Sequence, residues 1–114
     1  MAAITTHILD TSRGRPASGV AVTLEMHTAT QSWILIGKGE TDRDGRLKGL
    51  LAQGRDLAEG IYCLTFDTKS YFASQQIESF YPEVKIVFSV VDATQHYHVP
   101  LLLSPYGYST YRGS

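Results

Sequence analysis

Val20-Ala21-Val22-Thr23-Leu24-Glu25-Met26-His27 places Val20, Val22, Leu24 and Met26 on one parity and Ala21, Thr23, Glu25 and His27 on the other. Side chains along a strand point alternately to opposite faces, so this spacing describes a half-buried β-strand. Val84–Val91 repeats the alternation with Val84, Ile86, Phe88 and Val90, and Tyr62, Leu64 and Phe66 repeat it between Gly60 and Asp67. Shorter strand candidates are 4–10, 33–39, 96–103 and 106–111. Gly14-Arg15-Pro16, Asp44-Gly45, Glu59-Gly60, Tyr81-Pro82 and Ser104-Pro105 with Gly107 punctuate them as turns. One stretch, Asp67–Glu78, has helical content, with Ser70 or Thr68 as its expected cap. The pattern predicts an all-β, two-sheet β-sandwich of seven to eight strands with one short helix. It predicts a single domain over residues 1–114, with no linker and no internal repeat.

Composition narrows the functional classes. A chain of 114 residues that is 43% hydrophobic and 18% charged can bury a core. The formal net charge of −1, with scattered Lys and Arg, leaves no footprint for nucleic acid or an anionic membrane surface. No apolar run approaches the roughly 18 residues of a membrane span, and MAAITTHILD does not read as a secretory leader. The single Cys63 lies in an apolar stretch and reads as a core residue. These features point to the cytoplasm, or to the periplasm where a leader has been removed.

Candidate chemistry gathers at the polar residues. Of four histidines, His27 falls on the polar parity of its strand and reads as a solvated surface residue. His7 shares a face with Thr5 and Leu9, and His96 and His98 share a parity. An H-x-H pair with His7 as third ligand would make a zinc site, though no H-E-x-x-H or cysteine cluster supports one. Thr41-Asp42-Arg43-Asp44-Gly45-Arg46 resembles half a calcium loop, but its twelfth place is Gln53, so it reads as a tight turn with Arg46 just beyond. Val99-Pro100-Leu101-Leu102-Leu103 is apolar on both parities. Its outward side needs either a partner subunit or a covering loop. Glycine-rich phosphate loops, dinucleotide fingerprints and G-x-S-x-G elbows are all missing from the sequence.

His7 in TTHILD, Arg46 after Asp44-Gly45, His98 in HYHVPLLLSP and the Tyr111-Arg112-Gly113-Ser114 block together resemble the 5-hydroxyisourate hydrolase family, the transthyretin-related enzymes of urate degradation. The likeness covers essentially the whole chain, including GRPASGVAVTLE and ESFYPEV. It implies a transthyretin-like sandwich, a homotetramer with sites where dimers meet, and hydrolysis of 5-hydroxyisourate to 2-oxo-4-hydroxy-4-carboxy-5-ureidoimidazoline. It implies His7, Arg46, His98 and Ser114 as catalytic residues, with His7, Arg46 and Tyr111 toward substrate, and no metal or cofactor. Ser114 would act through its hydroxyl or a terminal carboxylate, while Tyr111 and Arg112 would position the tail. Leu101–Leu103 and Tyr106–Tyr111 would supply subunit contacts.

Opening a cyclic amide needs an activated water and a home for oxyanion charge. Histidine, with an ordinary pKa of about 6.5, and a forked guanidinium suit those tasks. Three rivals remain: a hormone carrier like transthyretin, a regulatory-like β-sandwich module sharing the TD-x-DG-R turn, and a zinc hydrolase using His7, His96 and His98. A carrier for an apolar iodinated ring gains nothing from buried His and Arg.

Overall fold

The alternating segments pair into two sheets in the computed structural model, which describes residues 3–51 and 56–114. In chain order the elements are β1 Ile4–Asp10, β2 Arg15–Pro16, β3 Ala21–His27, β4 Trp33–Glu40, β5 Arg46–Leu47, β6 Gly60–Phe66, α1 Thr68–Ala73, β7 Val84–Val90, β8 Tyr97–Ser104 and β9 Gly107–Thr110. One sheet runs β4-β3-β6-β7, and the other runs β2-β1-β8-β9 with β5 also pairing β1. Among the described residues only β1 and β8 pair in parallel; every other strand pairing is antiparallel. The two extra strands, β2 and β5, are two-residue arms of the expected Gly-Arg-Pro and Asp-Gly-Arg turns, zipped onto one edge of β1. Gln53 of the discarded calcium reading lies outside the described residues.

Period-2 burial builds the core between the sheets. Ile4 and Ile8 of β1, Val22 and Leu24 of β3, Tyr62, Leu64 and Phe66 of β6 and Leu101 of β8 are all at most 1% exposed. At roughly 25 cal/mol per Å² of apolar surface removed from water, this layer is the main stabilising term. Polar groups drawn inside are paired. Thr6 Oγ1 donates to Val99 O at 2.7 Å, and Tyr71 Oη donates to the buried Asp10 carboxylate at 2.7 Å. Burial and that carboxylate push the Tyr71 hydroxyl up to about 12, so it stays a donor. No buried side-chain polar atom among the described residues lacks a partner.

Three expectations need correction. The helix ends at Ala73 instead of reaching Glu78, and its cap is Asp67, whose carboxylate accepts from Ser70 N at 3.2 Å. A carboxylate one residue earlier outcompetes the hydroxyls as cap, and the buried Thr68 hydroxyl donates instead to Tyr81 O. His27 is half-buried, its ring against Trp33 at 4.9 Å between centroids, because the two are paired across β3 and β4. Leu101 and Leu103 are core residues, at 0% and 2% exposure, so they are closed to subunit contacts. On the outward side of the run Leu102 is half-open, while Pro100 is covered by the chain's own C-terminal segment. The tyrosines keep the expected exposure: Tyr106, Tyr108 and Tyr111 all face out.

Candidate active site

The outward face of the β1–β8 pair carries the polar residues that the core rejected. Thr5 and His7 point there from β1, and His98 points there from β8, directly across from Thr5 in the parallel register. Arg46 arrives from β5, opposite His7. Its approach is fixed by the preceding turn. Asp42 Oδ1 accepts from Asp44 N at 2.9 Å and Arg46 N at 3.0 Å, and Gly45 O accepts from Ile8 N at 2.8 Å. Those amide bonds hold the Asp42 carboxyl below its ordinary range. Gly45 adopts φ +76°, and a Cβ there would meet Ile8 O at 2.4 Å, so only glycine closes this turn.

The C-terminal segment folds back beside β8 and completes the pocket. Thr110 Oγ1 donates to Pro100 O at 2.6 Å, Gly113 N donates to His98 O at 2.8 Å, and His98 and Gly113 form an antiparallel bridge. Arg112 anchors the segment, with its guanidinium 4.4 Å from the Tyr97 ring centroid and its Nη2 donating to Gln95 Oε1 at 2.8 Å. A Cβ on Gly113 would stand 2.6 Å from His98 Cδ2, so glycine lets the backbone pass against the imidazole. Ser114 thereby reaches the same pocket as Arg46 and His98, a volume of about 410 Å³.

The surroundings of His98 shift its affinity for a proton. Burial, and then the charges of Arg46, His96 and His7 nearby, hold the His98 imidazole below its ordinary pKa. It is therefore neutral near pH 7 and able to accept a proton. His7 Nε2 lies 2.9 Å from Asp44 O. A carbonyl only accepts, so His7 Nε2 carries a hydrogen and donates it. Arg46 adds a fixed cation that can meet developing oxyanion charge.

Of the residues singled out by sequence, Arg46, His98 and Ser114 meet in one pocket. His7 stands beside them on the same sheet face, tied to the turn that carries Arg46. Tyr111 does not join them: it lines a separate apolar cleft with Ile86, Phe88 and Tyr97, so its link to the pocket runs through the backbone of the tail. Thr5 and Lys48 line the pocket and were not singled out. Lys48 sits two residues after Arg46, a same-parity spacing that offered the one available signal. His96, weighed only as a zinc ligand, lines the pocket too, its Nε2 2.9 Å from Thr5 Oγ1. Among the described residues no three His, Cys, Asp or Glu side chains are grouped to hold a metal ion. No helix among them is long and apolar enough to cross a membrane.

Comparison with known proteins gives these residues a context. The family profile described as HIUase/Transthyretin matches residues 4–113. The 5-hydroxyisourate hydrolase of Salmonella dublin is 46% identical over 111 residues, spanning 97% of this chain and 80% of that protein. Among solved structures, Klebsiella pneumoniae 5-hydroxyisourate hydrolase superposes with a TM-score of 0.85 at 37% identity, covering 99% of this chain and all of the other. Sea bream transthyretin in complex with thyroxine superposes at 0.90 with 33% identity, covering 96% and 93% of the two chains. A match along almost the full length, joined to the fold and to this clustering of polar residues, means that the chain belongs to the HIUase/transthyretin family.

Proposed function

We propose that the protein is a hydrolase of 5-hydroxyisourate, opening a cyclic amide C–N bond to give 2-oxo-4-hydroxy-4-carboxy-5-ureidoimidazoline in urate degradation. The observation that carries this reading is the convergence of His98, Arg46 and Ser114, from three separate segments, on one pocket that Thr5, Lys48 and His96 also line. Similarity to hydrolases bearing that name supports the substrate. In this reading His98 accepts a proton from water as the oxygen attacks the ring carbonyl. Arg46 binds the resulting oxyanion, and the Ser114 hydroxyl orients substrate or water. His98 returns the captured proton to the leaving nitrogen, while His7 holds the Arg46 turn through Asp44 O and helps to orient the water. Tyr111 positions the tail.

The working form we propose is a homotetramer. β7 and β9 are the outermost strands of their sheets, with open edges beside one apolar cleft that Val91 and Tyr111 help to line. Val87, Val91, Tyr108 and Tyr111 are between 42% and 72% exposed, an apolar load that a second copy would cover. A free, buried Cys63 fits a reducing compartment, which favours the cytoplasm. The deciding experiment generates 5-hydroxyisourate from urate with urate oxidase and follows its ultraviolet absorbance. Decay should accelerate far above the spontaneous rate when the protein is added. An unchanged rate at micromolar protein would reject the hydrolase reading.

A further inference from the structure

A hydroxyl has one proton to give and two lone pairs with which to accept. Thr5 Oγ1 stands between two imidazoles, 2.9 Å from His96 Nε2 and 2.8 Å from His98 Nδ1. With one hydrogen on that oxygen, neutral rings on both sides are satisfied only when one donates and the other accepts. The bridge is held by the sheet: Thr5 is 8% exposed, lies opposite His98 in the register, and its β-branched side chain has few rotamers. Two tautomeric arrangements result, and they leave His98 Nε2 either with a lone pair or with a hydrogen.

The charges around the pocket decide between them. Arg46 and Lys48 line it, His7 stands beside Arg46, and Arg112 reaches the backbone oxygen of His96. Cations in the pocket favour the lone-pair end of the His98 dipole facing them. We propose that Thr5 is a positioning residue for the hydrolysis: it accepts the Nδ1 proton of His98 and donates its own to His96 Nε2, so that His98 presents an unprotonated Nε2 to the attacking water. The proposal rests on the hydrolytic reading of the pocket.

The same bridge gives the captured proton's charge somewhere to go. When Nε2 takes a proton from water, the Nδ1 proton moves to Thr5 Oγ1 as the threonine proton moves to His96 Nε2. Only N–H and O–H bonds are exchanged. His98 becomes neutral again with its hydrogen on Nε2, ready for the leaving nitrogen, and the positive charge rests on His96. Because His96 is exposed while His98 is half-buried, water solvates the displaced charge better there than in the pocket.

The test compares Thr5→Val, which keeps the branched shape, with Thr5→Ser, which keeps the hydroxyl. For Thr5→Val the expected result is a fall in kcat of about tenfold or more with KM within about twofold, and for Thr5→Ser a kcat within about threefold of the parent. The acid limb of the Thr5→Val kcat profile should move to lower pH, because the imidazolium loses its Nδ1 acceptor. Nitrogen-15 NMR of the unliganded parent protein at neutral pH should show His98 with protonated Nδ1 and bare Nε2. A Thr5→Val enzyme with parental kcat and pH profile would overturn the proposal. So would a parent His98 protonated on Nε2, a measurement that needs no variant to fold. Full activity in His98→Ala would reject the hydrolytic site itself, whereas the NMR result reads the tautomer alone.

Discussion

At the scale of single residues, the chemistry proposed for the pocket rests on groups whose removal should leave the core intact. Arg46→Ala takes away the fixed cation and His98→Ala the proton acceptor, and each should cost about a hundredfold in kcat/KM. Circular dichroism should show parental folding for both, since Arg46 is exposed and His98 is half-buried on the outer face. Near-parental rates in a folded His98→Ala protein would refute its assignment. The depressed pKa of His98 gives a signed expectation for pH. Its neutral, active form persists as pH falls below the ordinary 6.5 and is lost through the lower folded value, so the acid limb of kcat/KM should lie below 6.5. Over that interval the unfolded chain binds the proton first, so this group's linkage lowers stability as the solution acidifies. Gly113→Ala tests the close passage of the tail. A methyl at that point must displace the His98 ring or the bridge. Activity should drop at least about tenfold while the melting temperature shifts by only a few degrees, as roughly expected for a change outside the core. Unaltered turnover would mean that the ring's position does not matter.

Among the elements, the tail contributes to the pocket more than to the core. Removing residues 111–114 deletes the Gly113 bridge, the Arg112 anchor and Ser114, but no residue of the buried layer. Activity should fall strongly with a modest loss of thermal stability; the reverse outcome would make the segment a mere strand cap. How well the sequence announced these elements depends on range. Strands such as Val20–His27 were legible because one face is buried and the period of burial is local. The two-residue strands β2 and β5 read as turns, since their pairing to β1 depends on a distant backbone. The parallel union of β1 with β8 leaves no local trace at all. Arg46 could be placed because an Asp-Gly turn aims the next residue. Thr5 could not, because its importance lies in two histidines more than ninety positions away, at separations of 91 and 93. The resemblance places Tyr111 toward substrate, yet its ring lines the cleft beside Ile86, Phe88 and Tyr97, which only the folded tail reveals.

For the molecule as a whole, the backbone does not choose between hydrolysis and hormone carriage. It superposes on a thyroxine-bound transthyretin and on a hydrolase with TM-scores of 0.90 and 0.85. The distinction lives in grafted side chains, and a pocket lined by Arg46, Lys48, His96 and His98 suits a polar ring far better than an apolar one. Light scattering on a sizing column should give four times the 12.6 kDa protomer mass. A monomer would refute assembly through the β7 and β9 edges. The parallel seam between β1 and β8 also sets a timetable. Its partners come from opposite ends of the sequence, and closing so long a loop must precede any reward from the contacts it allows. A ribosome that has delivered the first six strands has made a chain with His7 and Arg46 but no catalyst. In refolding from urea, signals of the β4-β3-β6-β7 sheet should therefore recover before enzymatic turnover does, and turnover that returned with the earliest phase would show that the seam forms first.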